Sequence, residues 1–261
     1  MYTGFFVAEF DKMLTEPLLI LSESDIEGGG KESRSSIQND FAYHNNVHNA
    51  SIKIRMAFIR KVYGLLSMQL LMTVIIAGVF CFVNPIKAYV QENPWPIMIS
   101  FFATFAILIV LHFKSREHPT NLILLALFTI VQACTIGIVV SLYDVVLVVE
   151  ALFITLTVVI ALTGFTFQTK RDFSAMAAGL FSCLCVLLIG SLLQIFIQSN
   201  AMELLLCVGG ALLFSFFIIF DTQLLMKTLS PEEYILATIN IYLDIINLFL
   251  YILRILAVAR K

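Results

Sequence analysis

Charged side chains are scarce in this sequence. Only 13% of its 261 residues are Asp, Glu, Lys or Arg, where a soluble domain carries roughly 25%. Hydrophobic residues reach 60%, and the mean hydropathy is +0.95. This excludes an ordinary soluble globule and implies an integral membrane protein. An excess of one sign is also missing: 16 basic residues against 18 acidic ones leave a net charge of −2, so nothing electrostatic argues for a nucleic-acid partner. Once the membrane segments are subtracted, no large soluble catalytic domain fits. The many Phe and Met residues read as core and lipid-facing mass, not as a cofactor box, and no cofactor is expected.

Cysteine and histidine patterns are thin as well. The five cysteines, Cys81, Cys134, Cys183, Cys185 and Cys207, all fall in apolar runs. Free cysteine packs as a small hydrophobe, and no disulfide framework or zinc spacing is visible. His44 and His48, in HNNVH, fit a solvated linker better than a metal site. The N-terminal stretch lacks a basic n-region, and Pro17 breaks its longest apolar run, so it does not read as a cleaved signal peptide. Residues 1–50 differ in kind from the rest. Ser22–Asp40 is rich in Ser, Gly and acids and is expected to be disordered. Two parts follow: a cytosolic N-terminal segment, 1–50, and a membrane part, 51–261. The triplet Asn49-Ala50-Ser51 matches a glycosylation acceptor but would be silent on the cytosolic side.

What the chain has in abundance is apolar windows of about twenty residues, the length that crosses a bilayer. They lie near 62–83, 96–113, 121–141, 145–167, 173–195, 202–226 and 232–257. The fold class is therefore all-α, a polytopic bundle of six or seven transmembrane helices in a lipid bilayer. Asn84-Pro85, Asn93-Pro94-Trp95-Pro96, Pro119 and Ser230-Pro231 mark turns. Lys53, Arg55, Arg60, Lys61, Lys114, Arg116, Lys170, Arg171 and Lys227 fall on alternate loops. The other loops carry Lys87 with Glu92, then Asp144, then Glu203. By the positive-inside rule the N-terminus is cytosolic. Segment seven breaks the pattern. Its length favours a seventh span, but Arg254, Arg260 and Lys261 favour re-entry and a cytosolic end.

Against this apolar background two acids stand out. Asp221 interrupts GALLFSFFIIFDTQLLM, and Asp244 interrupts YILATINIYLDIINLFLYILRIL. A carboxylate at bilayer depth costs about 2.5–3.5 kcal/mol on insertion scales, so an intramembrane acid is a functional-site hypothesis by default. Ser230-Pro231-Glu232-Glu233 reads as a helix start, with Ser230 capping, Pro231 in the first position and Glu233 completing a capping box. The last two segments then form a tight antiparallel hairpin. On the seventh, Asn240, Asp244, Asn247, Tyr251 and Arg254 share an arc of about 80° at 100° per residue. A wet stripe inside a membrane faces protein or a water-filled cavity; hydrogen-bonded glue between helices is the simpler reading of the same stripe. The sixth segment turns Cys207, Gly210, Phe214 and Phe217 to the face of Asp221, and its small residues allow close approach. Folding the chain at Ser230 leaves the two acids offset by about 7 Å along the axis.

If they meet, two carboxylates in contact cannot both ionise cheaply and should share a proton, titrating as a pair. The pair is then a proton-sensitive switch, closed by its hydrogen bond and repulsive once the last proton leaves. The freed oxygens could contact a cation transiently. Calcium takes six to eight oxygens, and two carboxylates with Asn240 or Asn247 supply few, which fits leaky passage better than tight storage. Glu150 could line an access path or snorkel to the interface. Gln132 and Gln194 read as helix–helix glue, His112 and His118 as interfacial, and Ala175 with Gly179 as a small-xxx-small packing pair.

The runs IRMAFIRKVYGLLSMQLL, YDVVLVVEALFITL, KRDFSAMAAGLF, GALLFSFFIIFDTQLL and LSPEEYILATINIYLDIINLFLYILR resemble the Bax-inhibitor-1 (transmembrane BAX inhibitor motif) family, and within it the lifeguard branch. The resemblance spans roughly Arg34 to Lys261. It implies a pH-dependent calcium leak from intracellular stores, in Golgi and endoplasmic reticulum membranes, that restrains apoptosis. It also implies that the family's paired aspartates fall on Asp221 and Asp244, its helix-four glutamate on Glu150, and a latch arginine on Arg116. The competing reading is a non-conducting scaffold that binds apoptosis regulators or intracellular calcium channels. An enzyme is not expected: intramembrane aspartyl proteases also use two acids, but their GxGD pattern is missing at IYLD and IIFD.

Overall fold

The structure is a computed structural model that describes residues 52–260 apart from 94 and 170. The expectations for residues 1–50, including His44, His48 and the Asn49 triplet, lie outside the described residues.

Eight α-helices follow one another within the described residues: α1 (Ile52–Phe82), α2 (Asn84–Glu92), α3 (Trp95–Phe113), α4 (Thr120–Val140), α5 (Val145–Gln168), α6 (Ala177–Ile197), α7 (Asn200–Lys227) and α8 (Tyr234–Ala259). All but α2 are long and apolar enough to cross a membrane. Seven apolar segments therefore form seven helices, close to the windows read from sequence. Two differences have local causes. The first helix begins about ten residues early, because IKIRMAFIRK stays helical although its bases keep it out of an apolar window. The first turn is itself a helix: Val83 is extended, Pro85 sits at the start, where its missing N–H costs nothing, and α2 follows.

The helix ends carry the expected signals. Asp144 caps α5 by accepting from the Val146 N–H at 3.3 Å. At the last hairpin Ser230 and Glu233 form the reciprocal capping box, with the Ser230 N–H donating to Glu233 Oε2 at 3.4 Å. Residues Pro231–Glu233 are a 3-10 turn, and α8 starts at Tyr234. Gln194 does not bridge helices as expected. Its amide donates to the Ser199 carbonyl at 2.9 Å, where Gln198 ends α6 in the left-handed region (φ 51°).

α8 is the axis of the bundle. It packs on α7, α5, α1 and α4, while α3 leans on α4 and α6 on α7. Its buried residues include Ile235, Ile239, Ile241, Tyr242, Leu248 and Leu253, packed with Phe128 of α4 and Ile218 of α7. α3 and α6 turn most of their apolar surface outward, the side that lipid covers. α8 runs unbroken for 26 residues, about 39 Å at 1.5 Å per residue, more than a hydrocarbon core of about 30 Å. No re-entrant turn interrupts it. Its end therefore lies with Asp144 and Glu203, opposite Pro231.

Small residues set the approach of α7 to α8. A Cβ on Gly210 would stand 2.6 Å from the Tyr251 ring. Gly179 does no such work: it is exposed, nothing lies within 4 Å of an added Cβ, and Ala175 is exposed too. The expected Ala175–Gly179 packing pair is thus not one of the bundle's contacts within the described residues. Close approach falls instead to Gly137 against Phe80 and Gly190 against Leu206.

Candidate functional site

Asp221 stands near the end of α7 and Asp244 in the first half of α8, and their carboxyls lie within hydrogen-bonding reach of each other. The axial offset read from sequence does not keep them apart: Asp221 of α7 reaches Asp244 of α8, and further along the same two helices Gly210 meets the Tyr251 ring. Asp244 is 7% exposed. Its Oδ2 is buried, and no N–H or O–H donor among the described residues reaches it. Ionised carboxyls are acceptors only, so a hydrogen bond between these two requires a proton on one of them.

The neighbourhood is polar in a limited way. Tyr242, two residues before Asp244 and fully buried, lies 2.8 Å from the Thr73 hydroxyl on α1. Tyr63 of α1 lies 3.5 Å from Thr222, next to Asp221. Gln69 donates to Thr129 of α4 at 2.8 Å. These bonds tie α1, α4, α7 and α8 together around the acids. Sequence reasoning missed Tyr63, Gln69, Thr73, Thr129 and Tyr242; Gln69 and Thr73, four residues apart on one face of α1, left a signal that could have been found.

Gln223, two residues past Asp221, holds the loop before α6. Its Oε1 accepts from the Phe173 N–H at 2.6 Å, and its Nε2 donates to the Arg171 carbonyl at 2.6 Å. Both bonds satisfy backbone groups that no helix serves. Gln223→Leu removes both; the Phe173 N–H loses its partner while the Arg171 carbonyl keeps a long 3.5 Å bond from Lys227 Nζ, and we expect a loss of about 1–3 kcal/mol. Thermal unfolding in detergent, together with faster amide exchange at Phe173, checks this; unchanged values would show the clamp to be idle.

Beyond the acids, towards the end of α8, lies a cavity of about 400 Å³. Val139, Tyr143, Glu203, Asn247, Tyr251 and Arg254 are among its lining residues. Arg254 donates to Glu203 at 3.4 Å, and burial pushes the Tyr143 hydroxyl up from its ordinary value, which keeps it a neutral donor. The predicted polar stripe of α8 is therefore divided. Asn247, Tyr251 and Arg254 line the cavity, Asp244 is buried at the acid pair, and Asn240 is exposed and outside the cavity.

Two other expected site residues lie elsewhere. Glu150 is held by Arg260, whose Nη2 donates to both carboxylate oxygens at 2.7 and 2.9 Å. It is not among the cavity-lining residues. Arg116 donates to Glu233 at 3.3 Å, at the start of α8 and away from the aspartates. The two arginines that strained the charge rule, Arg254 and Arg260, are thus each matched by an acid at their own end of the bundle. Among the described residues no group of three or more His, Cys, Asp or Glu side chains converges as a metal site would require.

Residues 55–261 match the family described as "Inhibitor of apoptosis-promoting Bax1". The chain is 46% identical to the Golgi anti-apoptotic protein of vaccinia virus (strain Lister) over 227 residues, 87% of this chain and 96% of that one. It is 44% identical to protein lifeguard 4 of Mus musculus over 228 residues, with the same coverage. Bax inhibitor 1 of Schizosaccharomyces pombe is 39% identical over 209 residues, covering 80% of this chain and 79% of that one. With the match spanning nearly the whole described bundle, both acids included, the chain belongs to the Bax inhibitor family.

Proposed function

We propose that this protein is a calcium leak pathway of intracellular membranes, gated by one proton shared between Asp221 and Asp244. The observation that carries the reading is the contact of two carboxyls inside helices long and apolar enough to span a bilayer. The pair also stands beside an open cavity: cavity-lining Asn247 is about 4.5 Å further along α8 than Asp244. With the proton in place the acids hold α7 to α8. When it leaves, like charges repel, the crossing loosens, and the freed oxygens offer a cation a transient site. Flux therefore rises with pH. Too few oxygens converge for tight binding, so the cation passes and is not stored.

The name of the vaccinia virus relative, Golgi anti-apoptotic protein, supports a site of action in Golgi membranes and a link to restraint of apoptosis; in this reading the link runs through a lowered store of calcium, and the endoplasmic reticulum is a further site. The alternation of loop charges supports a cytosolic N-terminus. The protein is not an enzyme in this reading; cleavage of a membrane peptide that both acids are needed for would revive the protease alternative.

The second reading is a scaffold that binds apoptosis regulators or calcium channels and conducts nothing. It is favoured by the tightness of the core around α8, where Leu248 and Leu253 are 1% and 0% exposed. Purified protein in liposomes loaded with calcium, with an external dye, separates the two. Flux above that of empty liposomes supports the pathway; silence at every pH supports the scaffold.

A further inference from the structure

The cavity at the end of α8 contains one pair of opposite charges, Glu203 near the start of α7 and Arg254 near the end of α8. Their single contact is 3.4 Å long, and the side chains are 23% and 45% exposed. This is a loose, hydrated pair, of the kind that contributes little to stability. Arg260 makes a different bond, two-pronged and at 2.7–2.9 Å, to Glu150 outside the cavity. The guanidinium of Arg254 stands over the same helix face as Asn247 and Asp244, seven residues from the one and ten from the other.

We propose that Glu203 and Arg254 form the charge-selective mouth of the pathway, with Glu203 as the first carboxylate a divalent cation meets and Arg254 as the positive group that restrains its passage. The proposal rests on the leak reading above and assigns the selectivity of that route. In the paired state the two charges largely cancel, and a cation finds neither strong attraction nor an open carboxylate. When the pair separates, Glu203 faces the cavity and Arg254 swings towards its exposed side. Coulomb's law sets the sign and the ratio of the effects. A positive charge about 8 Å from the path acts twice as strongly, in free energy, on a divalent cation as on a monovalent one. Tyr143 and Asn247 supply neutral oxygens beside Glu203, suited to replacing part of a hydration shell.

The test is flux through full-length protein in liposomes, measured in parallel for calcium and potassium. Arg254→Gln is expected to raise calcium flux about fivefold and potassium flux about twofold, the difference a doubled charge makes at that distance in water. Glu203→Gln, which leaves Arg254 unopposed, is expected to lower calcium flux more than potassium flux. Arg254→Lys, which keeps the charge, restores the calcium-to-potassium ratio and serves if the Gln variant folds poorly. Equal changes in both ions, or none, in a conducting protein overturn the mouth while leaving the acid gate standing. A silent wild-type protein overturns the mouth and the leak reading together. The two failures are distinguished by the wild-type trace alone.

Discussion

Asp244→Asn is expected to abolish the pH response of the proposed calcium flux and to hold the protein at its closed level. An amide has the shape of a carboxyl and carries permanent N–H donors, so the substituted side chain keeps a hydrogen bond to Asp221 that no rise in pH can remove. Asp221→Asn does the same from the other helix. The size of the effect follows from the repulsion that is lost. Two unit charges about 4 Å apart in a medium of effective dielectric about 20 repel by about 4 kcal/mol, enough to move a two-state gate by roughly a thousandfold. At alkaline pH the wild-type protein should leak far faster than either variant, and at acid pH the three should converge. Calcium-dye flux in liposomes across a pH series measures this directly. Variants that retain the wild-type slope would remove the acids from the gate.

Gly210→Leu is expected to have the second largest effect, on both packing and flux. A Cβ at this position already falls 2.6 Å from two carbons of the Tyr251 ring. The ring cannot retreat easily, because it stacks on Phe214 with centroids 5.7 Å apart and planes 23° apart. A leucine must push Tyr251 into the cavity or force α7 from α8. Overpacking of this kind costs about 1–3 kcal/mol, and a displaced Tyr251 fills space beside Asn247. Thermal unfolding in detergent should shift down, and flux should fall at every pH without loss of the pH response. Tyr251→Ala in the same background should recover both. An unchanged melting temperature would show that the α7–α8 contact is looser than the geometry indicates.

The helical segments were legible because their signal is large and local: a window of apolar residues is a span whatever surrounds it. The Ser230–Glu233 box was legible for the same reason, as its partners are three residues apart. The meeting of Asp221 and Asp244 was legible only as a possibility. A hairpin folded at Ser230 gives an offset, whereas the close approach of α7 to α8 depends on Gly210 against Tyr251, a contact between residues far apart in sequence. Periodicity placed Asn240 on the same arc as Asp244 but could not say where along that arc the neighbouring helix stops covering it. The charges of α8 misled for a related reason. Arg254 and Arg260 argued for re-entry, but their partners Glu203 and Glu150 lie 51 and 110 residues away along the chain. The clamp of Gln223 on the Arg171 and Phe173 backbone left no pattern in sequence, since its partners are main-chain groups.

A single proton held between two carboxyls within the membrane is the centre of the proposed mechanism. Infrared difference spectroscopy of the reconstituted protein, taken across a pH step, observes that proton most directly. The expected spectrum has a protonated-carboxyl band that disappears as flux rises with pH and is lost in both Asp221→Asn and Asp244→Asn. A spectrum with no such band, or a band that survives in both variants, would contradict the shared proton.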